Sequence, residues 1–189
     1  MSETIIDKIE ALLRDGALAL YEHRVLPGFR KCESEIEKLL YVSLWSAGVW
    51  RDHISIEDHD TLEALRQAEC SPSLPILSPQ IRVGRYRVDF MIRVAGYPGD
   101  DDTFIVIECD GYEFHERTKE QAQRDKARDR ALIADGIQVI RFTGSEVWQR
   151  AGECAEEILA LLVDAHFRTW LRHEERLTPG AIARLGVLQ

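Results

Sequence analysis

Residues 105–118 read IVIECDGYEFHERT, an apolar, β-branched run that ends in Glu108, Asp110, His115 and Glu116. Strand interiors are normally apolar, so ionisable groups gathered at a strand's end are paired, solvated or bound to something. Alternation puts Glu108 and Asp110 on one face of this strand. Upstream, IRVGRYRVDFMIRV (residues 81–94) also alternates with period two, with Val88, Phe90 and Ile92 on one side and Arg87, Asp89 and Met91 on the other. Gly84 marks a hairpin or bend within it. If the two strands pair, Asp89, Glu108 and Asp110 converge. Like charges that close raise one another's pKa and repel, so the arrangement is costly unless a cation neutralises it. Oxygen donors in that number favour Mg²⁺ or Mn²⁺ over Zn²⁺.

The elements on either side build the frame. TKEQ at 118–121 matches a capping box, and the helix it opens runs to about Asp135, where Gly136 ends it. IQVIRF (137–142) is a further buried strand, a helix starts at Ser145, and the tail to Gln189 is helical in part. Towards the N-terminus, apolar positions at helical spacing predict a helix over Glu3–Tyr21, which LPGF at 26–29 breaks. ESEIEKLLYVSLWSAG (33–48) is a second helix, with Ser34 as cap and Gly48 as stop. The stretch His53–Pro79 reads as a loop with one short helix around Thr61–Ala68. The element order implies an α/β domain with a mixed sheet and a crossover helix. Three segments are expected: a helical one over 1–30, the α/β domain over 31–164 and a helical tail over 165–189.

Composition limits the function classes. At 189 residues, 45% hydrophobic and 30% charged, the chain suits one globular domain with a real core and an added helical segment, and excludes disordered or collagen-like classes. Lys and Arg number 24 against 33 Asp and Glu, a net charge of -9, which excludes a uniformly basic nucleic-acid-binding surface. Any phosphate-binding face is then local, around Arg82–Arg93 and Arg117–Arg130. The cysteines Cys32, Cys70, Cys109 and Cys154 are widely spaced without a CxxC pair, which fits reduced thiols in a cytoplasm. The N-terminal stretch carries Glu3, Asp7, Glu10 and Asp15 among its apolar residues, unlike a secretory signal, and no apolar run approaches membrane-spanning length.

YRVDF, then IVIECDGYEFH, then RDKARDRALIADGIQVIRFTGSEV resembles the PD-(D/E)XK nuclease superfamily, and within it the small endonuclease-like proteins related to very-short-patch mismatch repair endonucleases. The resemblance covers roughly Glu33 to Leu162. It implies a restriction endonuclease-like mixed sheet flanked by helices, here with extra N- and C-terminal helices. It also implies a metal-dependent DNA endonuclease that hydrolyses phosphodiester bonds in repair or defence, with Mg²⁺ or Mn²⁺ as cofactor. Asp89 stands at the motif Asp, although Val88 replaces the name-giving Pro, and Glu108 stands at the motif Glu. Cys109 falls where the family lends a backbone carbonyl to the metal. Asp110 occupies the Lys position, a departure shared by the repair-endonuclease-like branch that leaves the usual Lys role unassigned. Gly111 and His115 match that branch's Gly and catalytic His, and Glu37, in SEIEKLL, matches a helix-borne Glu.

Plainer readings stand beside these. Asp89 and Glu108 are alternatively solvated strand ends, or salt-bridge partners of Arg87 and Arg141. His115 titrates near neutrality and suits acid–base work, but an isolated His is as readily structural. Gln121, Asp125, Arg128 and Leu132 share a helical stripe that faces either the site or solvent. Arg124, Lys126 and Arg128 either grip phosphate or pair with acids along their own helix, and Asp125 either orients His115 or an Arg or belongs to those pairs. Glu33 and Glu35 compete with Glu37, which is otherwise an ordinary exposed helix residue. Tyr112 and Phe114 either stack on bases or pack in the core. At the level of the whole protein, the alternative is a non-catalytic nucleic-acid- or protein-binding module that keeps the nuclease fold. A homodimer or larger complex, docked through Trp170 and Leu171 of the tail, stays open.

Overall fold

A sheet whose strands alternate buried residues to both sides needs helices on both faces, and the chain supplies them. The computed structural model describes residues 25–48, 54–110 and 119–178, so the helix expected over Glu3–Tyr21 lies outside the described residues. In chain order come α1 (Leu26–Lys31), α2 (Glu35–Gly48), β1 (Ser55–Ile56), α3 (Leu62–Gln67), β2 (Ile76–Val83), β3 (Tyr86–Val94), β4 (Thr103–Asp110), α4 (Lys119–Ala134), β5 (Gln138–Thr143) and α5 (Gly144–Leu177). The described strands form one five-stranded mixed sheet in the order β1-β2-β3-β4-β5. β2–β3 and β3–β4 are antiparallel, while β1–β2 and β4–β5 are parallel. The parallel β4–β5 pair needs a crossover, and α4 provides it. This is the α/β restriction endonuclease-like architecture expected from the sequence.

Local chemistry sets the element ends. Ser34 accepts a hydrogen bond on Oγ from the Glu37 N–H at 3.1 Å, while the Ser34 N–H donates to Glu37 Oε1 at 3.2 Å, a capping box at the start of α2. Thr143 and Glu146 form the same box at α5, which begins one residue earlier than expected. At the end of α4 the Ile137 N–H bonds to Leu132 O and the Gly136 N–H to Ile133 O, both at 3.0 Å, with Gly136 at φ +74. That pairing is a Schellman motif, and the left-handed φ explains the glycine.

Three expectations are corrected. LPGF is a helix start, because Pro27 falls in the first turn of α1, where its missing N–H costs nothing. Residues 76–79 belong to β2 and not to a loop: Ser78 and Pro79 interrupt the apolar pattern, yet both are buried strand residues paired with Met91 and Phe90. β1, only two residues long, gave no periodic signal. Helix α5 extends from Gly144 to Leu177 with a kink at Arg150 (φ -146). Its far end is clasped to the β3–β4 connection, where Arg176 donates to Asp100 at 2.8 and 2.9 Å and His173 stacks on Tyr97 at 4.7 Å. No helix among the described residues is long and apolar enough to cross a membrane.

Two apolar clusters sandwich the sheet. Leu40, Tyr41 and Leu44 of α2 and Cys154, Ile158 and Leu162 of α5 pack with Phe90, Ile92, Ile105 and Ile107. Leu62 and Leu65 of α3 and Leu132 of α4 pack with Met91, Val106, Ile81, Val83 and Val88. The last residue departs from simple alternation, which groups Val88 with Phe90. β2 changes phase at the same level, since Leu77 lies in the first cluster and Ile81 in the second. The cause is Gln80, which stands opposite Asp89 with φ +53, in a ladder whose pairs resume only at Pro79↔Phe90 and Ile81↔Val88. A backbone irregularity of this kind bends both strands and re-aims their side chains.

Arg93 secures the other end of β3. Its Nε donates to Asp102 at 2.7 Å, and its Nη1 donates to Leu65 O and Ala68 O, carbonyls at the C-terminal end of α3, at 2.7 and 2.8 Å. Because Arg93 is 8% exposed, its charge is withdrawn from the local basic patch expected around Arg82–Arg93. Replacing it with Met strands the Asp102 carboxylate and two carbonyls, at a cost of about 3 kcal/mol. We expect Arg93→Met to lower the free energy of unfolding by that amount, read as a lower urea midpoint at an unchanged slope; a change under about 0.5 kcal/mol contradicts the role.

Candidate active site

Pairing between β3 and β4 stops at Phe90↔Ile107, so Asp89 and Glu108 are the facing residues one step beyond the last pair. The Asp89 carboxylate closes the ladder: the Cys109 N–H donates to its Oδ2 at 2.7 Å. Glu108 is 6% exposed. Two adjacent acids so placed resist ionisation. Burial first, then the Glu108 charge, pushes Asp89 up to about 7, against relief from the Cys109 N–H. Burial also raises Glu108, although Arg128 and Arg141 oppose that shift.

Arg128 of α4 makes an ion pair with Glu108. Arg128 and Leu132 therefore turn the described part of the helical stripe towards the sheet, with Leu132 in the core. The side chains of Gln121, Arg124 and Asp125 lie outside the described residues, as do Gly111, Tyr112, Phe114 and His115. Lys126 and Arg130 are exposed. Neither salt bridge weighed for the two acids forms: Arg87 pairs with Glu33, and Arg141 with Asp129. Arg141 is nonetheless the β5 register partner of Glu108, close enough for its charge to act there. Asp110 stands opposite Thr143, half-buried, and its charge raises Glu108 and Arg141.

Among the three helix-borne acids, the structure separates Glu37 from its competitors. Glu33 reaches Arg87 at the surface and Glu35 pairs with Lys38 at 2.7 Å, whereas Glu37 is 7% exposed and its charge acts on Asp89. Its carboxylate accepts from the Ser34 N–H at 3.2 Å, the Glu33 N–H at 2.8 Å and Gln80 Nε2 at 2.7 Å. Sequence reasoning missed Gln80. The available signal was Pro79 just before it, since a proline inside a strand marks an edge or a bulge. The Cys109 thiol is pushed far above its usual range, by burial first and then by Asp89, Glu37 and Glu108, so it stays neutral and is no nucleophile.

The two sheet acids fit a divalent cation. Glu108 is buried and Asp89 half-buried, the two are adjacent and short of positive charge, and Arg128 already shows that a cationic group seats against Glu108. The fit is to a pair of carboxylates, because no group of three or more His, Cys, Asp or Glu side chains among the described residues is arranged to hold a metal ion.

The raised Asp89 value carries a stability consequence with a definite sign. Between its ordinary 3.8 and the folded value of about 7, the folded chain holds a proton that the unfolded chain has lost, so stability from this group falls as pH rises through that window. Above pH 7 the full penalty applies, roughly 4 kcal/mol at its upper limit. We expect metal-free Asp89→Asn to be more stable than wild type at pH 8, with the gain vanishing by pH 4. A gain independent of pH over that range contradicts the assignment.

Neither a curated protein nor a solved structure matches the chain. Residues 60–162 match the family REase_MTES_1575, spanning α3 to the middle of α5 and enclosing Gln80, Asp89, Glu108 and Arg128. The match is at the level of the restriction endonuclease-like superfamily and does not single out the very-short-patch repair branch. More than half of the chain is covered, and the protein belongs to the REase_MTES_1575 family of restriction endonuclease-like proteins.

Proposed function

We propose that this chain is a divalent-metal-dependent DNA endonuclease, hydrolysing phosphodiester bonds in repair or defence. The observation that carries the reading is the juxtaposition of half-buried Asp89 and buried Glu108 at the broken end of two antiparallel strands, in a family of nuclease-like proteins. Asp89, Glu108 and the Cys109 carbonyl would hold Mg²⁺ or Mn²⁺. Such an ion polarises the scissile phosphate and lowers the pKa of an attacking water.

The chain's own groups have distinct work in this reading. Glu37, held by its hydrogen-bond donors, adds negative potential at Asp89 and so strengthens cation binding. Asp110 does the same for Glu108. Arg128 neutralises Glu108, which places it inside the site and not on an outer DNA-facing surface. Lys126 and Arg124 remain for phosphate contact on α4, joined by the exposed Arg82 and Arg85 of the β2–β3 hairpin. His115, five residues past Asp110 in the sequence, is assigned proton transfer to or from the reacting oxygens on the strength of the motif it completes. Cys32, Cys70, Cys109 and Cys154 are free thiols, which supports a reducing, cytoplasmic setting. A cutter of both strands would need two such sites, hence a homodimer or a larger complex.

One observation favours the alternative of a non-catalytic binding module: Glu108 already has a cation partner in Arg128. Cleavage of supercoiled plasmid and of single-stranded DNA with Mg²⁺ or Mn²⁺ separates the two readings. The nuclease reading expects wild type to nick or degrade DNA, and Asp89→Ala and Glu108→Ala to be inactive. It also expects His115→Ala to be slower by about 10²-fold. Equal inertness of wild type and variants with both metals, under conditions where the chain is folded, favours the binding module.

A further inference from the structure

Gln80 combines three features that the nuclease reading leaves unused. It is the only non-glycine among the described residues with a positive φ, at +53. A side chain in the left-handed region is strained, and such strain survives where the surroundings demand it, often at functional sites. It also occupies the one level of the β2–β3 ladder between Pro79↔Phe90 and Ile81↔Val88 where pairing is missing, directly opposite Asp89. Finally, its amide reaches 43 residues back to donate from Nε2 to Glu37 Oε2 at 2.7 Å. Facing a carboxylate oxygen, the amide has to present its NH₂ group, so the donor assignment follows from the chemistry.

A purely structural left-handed position would be served by Gly, or by Asn or Asp, with less strain. A long amide is required only if its far end matters. Here that end reaches Glu37, a helix acid whose charge acts on Asp89. Of the four acceptor positions on the Glu37 carboxylate, the two N–H groups of Glu33 and Ser34 and the Gln80 amide fill three. Without Gln80, the donors that hold this carboxylate among the described residues are the N–H groups of Glu33 and Ser34, the two residues before α2, and none of them belongs to the sheet.

We propose that Gln80 is a positioning residue for the acid site, tying Glu37 to the sheet at the level of Asp89 at the expense of a strained backbone. The proposal rests on the reading of Asp89 and Glu108 as a metal site. It assigns to one residue both the phase change of β2 and the placement of the helix-borne acid.

The test pairs stability of the metal-free protein with Mn²⁺ binding by titration calorimetry, in wild type, Asp89→Ala, Gln80→Gly and Gln80→Met. Relief of the left-handed strain in Gln80→Gly is expected to raise the metal-free Tm by about 2–4 °C. Loss of the tether is expected to weaken Mn²⁺ binding by about tenfold or more. Gln80→Met keeps the side-chain length without the donor, so it weakens Mn²⁺ binding comparably without the gain in Tm. If wild type binds Mn²⁺ and Asp89→Ala does not, but both Gln80 variants bind as wild type, the metal site stands and the positioning role falls. A lowered Tm in Gln80→Gly with unchanged Mn²⁺ affinity makes Gln80 a residue of the fold alone. Absence of Mn²⁺ binding in wild type removes the metal-site reading, and the proposal with it.

Discussion

Holding two carboxylates side by side, Glu108 buried and Asp89 half-buried, is the constraint around which this protein is organised. Each would prefer water, and each raises the other's resistance to ionisation. The fold places positive charge and N–H donors against them from several directions: the Cys109 amide on Asp89, the Arg128 guanidinium on Glu108, and the Arg141 charge from the neighbouring strand. These contacts leave Asp89 still far above an ordinary aspartate. A site left short of positive charge in this way is suited to a divalent cation.

The phase break at Gln80 and Asp89 explains how residues from two helical layers reach one point. In a regular antiparallel pair a strand residue points to one face only. Here Val88 and Phe90 belong to different clusters, and Asp89 lies at the crossing between them. Glu37 acts on it from α2, in the first layer, and Arg128 from α4, in the second. Closing the ladder with a side-chain carboxylate instead of a backbone pair makes the crossing possible.

Charge shapes what the site can bind. With a net charge of -9, the chain places several arginines in internal ion pairs: Arg93 with Asp102, Arg128 with Glu108, Arg141 with Asp129 and Arg176 with Asp100. In the nuclease reading proposed above, phosphate affinity would have to come from exposed side chains near the site. The Arg85 guanidinium, 4.9 Å over the Tyr86 ring at the hairpin tip, is one such exposed group.

The sequence by itself determined α2, β3, β4, α4, β5 and the start of α5, the mixed sheet, the membership of the endonuclease-like superfamily and the nearness of Asp89 to Glu108. Alternating strands, a capping Ser34 and a terminating Gly136 are local signals, each written within a few residues. Tertiary structure alone decided that Glu37, and not Glu33 or Glu35, is buried beside the acids, because all three lie within five residues at the start of α2 and only packing against the sheet distinguishes them. It decided that Arg128 serves Glu108, a pairing across 20 residues that helix periodicity could place on a stripe but not aim. It also decided the left-handed backbone of Gln80 and its hydrogen bond to Glu37, 43 residues away in the chain, of which Pro79 gives only a local hint. Local patterns are fixed by backbone sterics and side-chain period, whereas which charges share a buried site depends on how the layers close.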